Sequence, residues 1–356
     1  MPQAEGNIYV YLRGGIYQME KAAVFTAEDS APDGIKVVWT AYENEEPVLT
    51  GATEAGNWTL AEGNIWKTKI EGKHDFRQIY IGNEKGTRAR TPNKGEYLTL
   101  DKERTDTGFD IQKGVINESE FKDDLELAIR NVWMHKRLKI DSVKDTDTHT
   151  SLAIEPYMWN DVLTGPQGAT IYYGVKYWLE NSYAFIDQNG EWYYDRDKKE
   201  LYLMSDIDPN QLSITIPRLE TLIDLQGTLD APVSNIEFSG ITFQYTNWTR
   251  PNDYGLNDIQ ANTLFPSPDH YVEDKQYRYD FVKEYIPAAF SSQTAFHVSV
   301  NDCKFEDLGG TGISFKNGGA HIDISKNVFD GCANTAVEVG EDSYKPNDTR
   351  MRISDV

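Results

Sequence analysis

The sequence predicts an all-β protein: a parallel β-helix, or solenoid, interrupted by an inserted and mostly antiparallel β-domain. Three observations predict it. A segment of the C-terminal third repeats at an offset of 24 residues, apolar and polar residues alternate with period two inside each copy, and the period vanishes between about residues 52 and 205 before returning. Alternation at period two puts one residue set inward and the other outward.

Residues 1–51 read as the first turns of the coil. Ile8, Val10 and Leu12 alternate into Gly14-Gly15-Ile16-Tyr17, and a second run from Ile35 to Tyr42 leads to Pro47-Val48-Leu49-Thr50-Gly51. Residues 52–205 read as the insert, β-sandwich-like, with Trp-rich strands and an acidic stretch near Asp101 to Asp124. Within it, EWYYDRDKKELYLM is a hairpin, two alternating runs turning at Asp197-Lys198-Lys199. The coil resumes over 206–356, beginning at Leu212 to Pro217 and Leu222 to Leu225. A long excursion at 245–295, rich in Pro, Asp and Tyr, hangs between successive turns and reads as functional. Met351 and Ile353 open another alternation that stops at Val356, so further turns are expected beyond it.

The repeat itself is specific. HVSVNDCKFEDLGGTGISF at 297–315 aligns with HIDISKNVFDGCANTAVEV at 321–339, matching Val298 to Ile322, Val300 to Ile324, Phe305 to Phe329 and Phe315 to Val339. A third copy, NIEFSGITFQY at 235–245, puts Ile236, Phe238, Ile241 and Phe243 in the slots of Val298, Val300, Cys303 and Phe305. Gly, Asn and Asp between the runs favour the positive φ of tight turns. One copy is too short to bury a core, but copies stacked about 4.8 Å apart bury a continuous one. Leucine-rich repeats have a similar period, yet their leucine pattern is missing.

Composition removes several function classes. With 57 acidic against 35 basic residues and a formal charge of −22, the surface repels polyphosphate, so no nucleic-acid partner is expected. No stretch approaches the roughly 18 apolar residues of a membrane span, and the first twenty residues lack a signal peptide's apolar core. Two cysteines, Cys303 and Cys332, make neither a disulfide framework nor a four-thiolate zinc site, and both fall at inward slots as packing thiols. Aromatic residues reach 12%, mostly as sheet core, leaving a minority to stack on flat ligands such as sugars.

Nucleophile elbows, phosphate loops and paired metal-binding histidines are absent. His297 and His321 share one slot of adjacent repeats and should stack as a surface ladder. Carboxylates remain. Glu306 and Asp330 are 24 apart, each following the inward Phe of its copy, so both point outward; Asp302 and Glu338 are further outward candidates. Carboxyls about 5 Å apart suit retaining glycoside hydrolysis, and a wider pair suits inversion. Among 57 acidic residues, a coincidental pair is the competing reading. Tyr245, Trp248, Tyr254 and Tyr271 are the candidate substrate-stacking residues. No cofactor is expected. Calcium has weak support, from Asp342 and Asp348 in one turn without a recognised calcium loop.

The series VYLRGGIY, PVLTGA, GNIWKTKI, FRQIYIGNEKGTRARTPN, GEWYYDRDKKELYL, SITIPRLETLIDLQG and CKFEDLGGTGISF resembles the right-handed parallel β-helix glycoside hydrolases of family 141, with family 120 as a related plan. The insert is the most specific part of the likeness. The resemblance implies an exported, extracytoplasmic bacterial enzyme that cleaves plant or host polysaccharide or oligosaccharide, fucosidase- or xylanase-like, using two acidic residues on the coil's outer face. It leaves open whether those acids lie within residues 1–356. Two other readings stand beside it. A polysaccharide lyase needs cations and a basic residue at its cleft, and the basic residues here gather in the insert at Arg77, Arg88 and Arg90. A non-catalytic carbohydrate-binding or adhesin coil needs only the repeat.

Overall fold

A computed structural model describes residues 6–72, 75–100, 104–122, 124–130, 135–164, 174–257, 264–266 and 283–340. Tyr271, Asp342, Asp348, Met351 and Ile353 lie outside the described residues. The chain forms two compact units. The first comprises Met1–Thr53, Ile216–Trp248 and Ile286–Val356; the second comprises Glu54–Thr215 and Thr249–Tyr285.

The first unit is built of parallel sheets. In one, Ile8–Leu12 pairs with Val37–Ala41, which pairs with Val233–Ser239 and then with Ala288–Asn301. In another, Gly15–Gln18, Pro47–Thr50, Thr242–Gln244, Lys304–Glu306 and Val328–Asp330 follow one another, all parallel. The 24-residue offset is the observed register: Val300 faces Ile324, Phe305 faces Phe329, and Phe315 faces Val339. Ile236 and Phe238 face Val298 and Val300, as the third copy requires.

Repetition turns single side chains into ladders. Phe243 and Phe305 stack with ring centroids 4.8 Å apart, and Phe305 and Phe329 at 5.0 Å, all on the inward side. Ile236, Val298, Val300 and Phe305 are fully buried; each such side chain contributes about 2 kcal/mol of apolar burial. Corners form ladders too. Asn235, His297 and His321 share one column of left-handed φ; Gly240, Asp302 and Lys326 share a second; Tyr245, Asp307 and Gly331 share a third. His297 and His321 stack face to face at 4.4 Å. Gly310 is needed for space, since a Cβ there would lie 2.3 Å from the Pro287 carbonyl oxygen.

The second unit is mostly antiparallel. Glu191–Asp195 and Glu200–Met204 form the expected hairpin, with Lys199 at φ 53 and the Lys198 amide donating to Asp195 at 2.9 Å. Glu126–Arg130 lies between His135–Asp145 and Lys176–Glu180, antiparallel to both. Leu127, Ile129, Leu138, Ile140, Tyr177 and Leu179 supply its core.

Two boundaries differ from the sequence reading. Ile214 and Thr215 pair antiparallel with Ile81 and Tyr80, so the opening of that strand belongs to the second unit. The excursion placed at 245–295 ends earlier, because Ala288–Asn301 is one long strand whose first half pairs with Ile223–Gln226 and Thr311–Lys316. Its offset there is 23, from Phe290 to Ile313, and becomes 24 after a shift between Gln293 and Ala295. A search at constant offset misses that half.

Candidate functional site

The outward side of the strand Lys304–Glu306 places Thr50, Gln244, Glu306 and Asp330 in one column across adjacent parallel strands. Glu306 faces Asp330 directly, and the inward stack of Phe305 on Phe329 fixes both backbones. Neighbouring Cα atoms in such a column are about 4.8 Å apart. Glu306 is half-buried and Asp330 exposed.

Asp307, which the sequence reading passed over, completes the cluster. It occupies the corner after Glu306 at φ 54, and its amide donates to the Asp330 carbonyl at 2.9 Å. A Cβ on Gly331 would sit 2.9 Å from the Asp307 carboxylate, so glycine in the next turn is what leaves room for it. Tyr245 stands at the same corner one turn earlier. Burial raises the Tyr245 phenol above its usual range, and the charges of Asp307 and Glu306 add to the effect. The phenol therefore stays protonated at neutral pH as a donor beside the carboxylates. The signal that could have located Asp307 was the acidic dipeptide Glu306-Asp307 placed against Asp330-Gly331 at the repeat offset.

Asp302 and Glu338 are not gathered here. Asp302 is exposed at the preceding corner, with φ 51, at the start of the turn into the strand rather than its end. Glu338 lies on a different sheet, facing Ser314, and its carboxylate accepts from Ser314 at 3.3 Å and pairs with Lys316 at 3.2 Å. Burial lowers the Lys316 ammonium to about 8 against the opposing pull of Glu338. Among the stacking residues, Tyr245 is buried and Trp248 half-buried in the first unit. Tyr254 belongs to the second, exposed on a short helix with Arg250 over its ring at 5.5 Å. Cys303 is buried and Cys332 half-buried; burial pushes each thiol up to about 11, so neither is a thiolate at neutral pH.

The second unit holds a buried charge network instead. Glu126 receives two bonds from Arg77, at 2.7 and 2.8 Å, and one from Arg88 at 2.9 Å. Glu180 accepts from Arg88 at 2.8 Å, from the Trp178 indole at 2.6 Å and from Arg137. Burial alone would raise both carboxyls, but the arginines hold Glu126 far below the carboxylate range and Glu180 at about 2. Arg90 instead donates to the carbonyls of Pro92 and Glu96 and lies 4.4 Å over the Trp178 ring. Arg77, Arg88 and Arg90, the basic residues on which the lyase reading drew, are thus committed to contacts within this unit.

Among the described residues, no group of three or more His, Cys, Asp or Glu side chains is arranged to hold a metal ion. No helix among them is long and apolar enough to cross a membrane.

Comparisons with known proteins add four findings. Residues 63–206 match the family model described as the GH141 insertion domain. The chain therefore carries that domain, and the resemblance to family 141 holds. A solved structure described as a glycoside hydrolase is 22% identical with a TM-score of 0.80, over 97% of this chain and 63% of that one. That likeness establishes the fold, and the chain spans 63% of that structure's length. A complex of XylC with xylose aligns over 90% of this chain and 48% of its own at 11% identity; its TM-score of 0.35 carries no argument. No curated protein matches the sequence.

Proposed function

We propose that this chain, bearing a family 141 insertion domain, is a glycoside hydrolase or the scaffold-bearing part of one. In this reading, the parallel sheets of the first unit are turns of a right-handed β-helix. The bond is cleaved on its outer face by Glu306 and Asp330, with Asp307 beside them and Tyr245 donating to the carboxylates or to a sugar hydroxyl. The observation that carries the reading is the direct facing of Glu306 and Asp330 on neighbouring parallel strands. Strand spacing brings two such carboxyls within about 5 Å, the separation that suits a nucleophile and an acid in retaining hydrolysis. The substrate is a plant or host polysaccharide or oligosaccharide, fucosylated or xylan-like, met outside the cytoplasm.

The test uses Glu306→Gln and Asp330→Asn in the full-length protein, assayed for reducing sugar released from xylan and from fucosylated oligosaccharides. Loss of a catalytic acid or base lowers turnover by about 100-fold or more. Unchanged turnover in both variants, with activity present in the parent, moves the catalytic acids elsewhere. Reducing ends that appear together with an equal yield of unsaturated, ultraviolet-absorbing residues would instead favour elimination by a lyase, because hydrolysis adds water across the bond and leaves no such absorbance.

A further inference from the structure

The insertion domain carries a cluster of cations that its buried network does not use. On the outer face of its sheet, Arg130 lies directly across from Lys176 on one side and His135 on the other. Lys176, Arg130 and His135 thus form one row across three antiparallel strands. Arg130 and Lys176 are both exposed, and no carboxylate among the described residues pairs with either. Like charges directly opposite in a sheet are destabilising. The arrangement is the more unusual in a chain of formal charge −22.

One aromatic ring gathers these cations. The Lys176 ammonium lies 5.2 Å from the Tyr97 ring centroid, and the Arg130 and Arg90 guanidinium groups each lie 5.8 Å from it. Arg130 also donates to the Tyr97 hydroxyl at 3.3 Å. Trp178 meets the same ring edge-on at 5.8 Å, and Arg90 packs over Trp178. Trp178 is buried, so the floor of the cluster is fixed while the heads of Arg130 and Lys176 face solvent. Attraction to the ring face holds each head in place. His135 borders the row, 5.3 Å from the Trp178 ring, and burial with Arg137 nearby lowers its imidazole to about 4. It is therefore neutral at physiological pH and adds no charge.

We propose that Arg130 and Lys176, organised by Tyr97, form a binding site for an oxyanion carried on a sugar, either a uronate carboxylate or a sulfate ester. A guanidinium presents two parallel donors to such a group, and the ammonium adds a compact charge on its other side. Binding removes the cross-strand repulsion that exists in the empty site. The inference rests on the glycoside hydrolase reading only for the kind of molecule that brings the anion. The site would hold acidic glycan on the insertion domain.

The test measures binding of the full chain to oligogalacturonate, to a sulfated chondroitin oligosaccharide and to neutral xylohexaose by titration calorimetry. Arg130→Gln with Lys176→Gln should weaken binding of at least one acidic probe about tenfold or more. Xylohexaose binding should not change, and the thermal midpoint should not fall, since the substitutions also remove the cross-strand repulsion. Preference between the two acidic probes tells carboxylate from sulfate. Lys176→Arg keeps the charge and should keep the affinity, and added salt should weaken binding in the parent. Failure of both acidic probes to bind the parent, or equal binding by the double variant, overturns the proposal. Hydrolysis is read separately: acidic-probe binding that depends on Arg130 and Lys176 in a protein that releases no sugar sustains this site while removing the cleavage assigned to Glu306 and Asp330.

Discussion

The two units solve the problem of polar groups in opposite ways. In the first, the inward face is apolar, and polar groups are dealt with locally, on the outward side, as where Lys316 pairs with Glu338, or at corners: the Cys303 amide donates to Asn327, whose own amide donates to the Val300 carbonyl. The second buries Arg77, Arg88, Glu126 and Glu180 together, drawn from positions up to about a hundred residues apart in sequence. Repetition explains the difference. When each turn sits on a near-copy, any buried charge would face the equivalent slot of its neighbour, and only small capping amides repeat without conflict. A single antiparallel domain has no such constraint and can close one unique network.

The sharpest way to break this comparison is Glu126→Gln. It preserves shape but leaves Arg77 and Arg88 short of a buried counter-charge, which costs about 3–5 kcal/mol. Chemical denaturation should show the loss, and hydrogen exchange should place it in Glu126–Arg130 and His135–Asp145, with Val298–Phe305 keeping its protection. Equal loosening of both segments would mean that the network supports the whole chain rather than its own unit.

Asn327→Ala should cost less, about 1–3 kcal/mol, because it strands one backbone donor and one acceptor that are half-sheltered. The loss should appear in the exchange rates of the Cys303 and Val328 amides, both of which bond across this turn. If exchange there stays at parent rates, water replaces the amide without penalty, and the corner ladder is incidental to the repeat.

What the sequence discloses follows the same division. The register of the first unit is legible because identity of slot becomes identity of neighbour; Val300 with Ile324 and His297 with His321 need only the offset. The corners are less so. Turn chemistry expects Gly, Asn or Asp at positive φ, yet Tyr245, His297, His321 and Lys326 fill these positions, held there by the turns on either side. The half of Ala288–Asn301 that runs at offset 23 is hidden by the one-residue shift. Of the site, Glu306 and Asp330 share a column as the spacing predicts, while Asp302 and Glu338, equally outward by alternation, go to another corner and another sheet. Alternation distinguishes inside from outside but not one outer face from the next. The Arg77–Glu126–Arg88 network has no sequence signal, since nothing local pairs residues so far apart.

The smallest effect separates buried from surface pairing. Glu45 of the first unit and Glu180 of the second are both lowered to about 2. Glu45 accepts from Arg13 and from the Gly14 amide on the open surface, whereas burial opposes ionisation at Glu180 and Arg137 and Arg88 overcome it. Both folded-state values lie below the ordinary carboxylate value of about 4.3, so any stability each group contributes is present above that pH and is lost as pH falls toward 2. Salt should distinguish them. Raising ionic strength to about 1 M shortens the screening length to about 3 Å, which weakens an exposed ion pair and barely reaches a buried one. Carboxyl-carbon NMR titrations at low and high salt should show the Glu45 midpoint rising while that of Glu180 stays put. If both midpoints rise together, solvent and ions reach the network, and its burial, the feature that sets the second unit apart, is not maintained in solution.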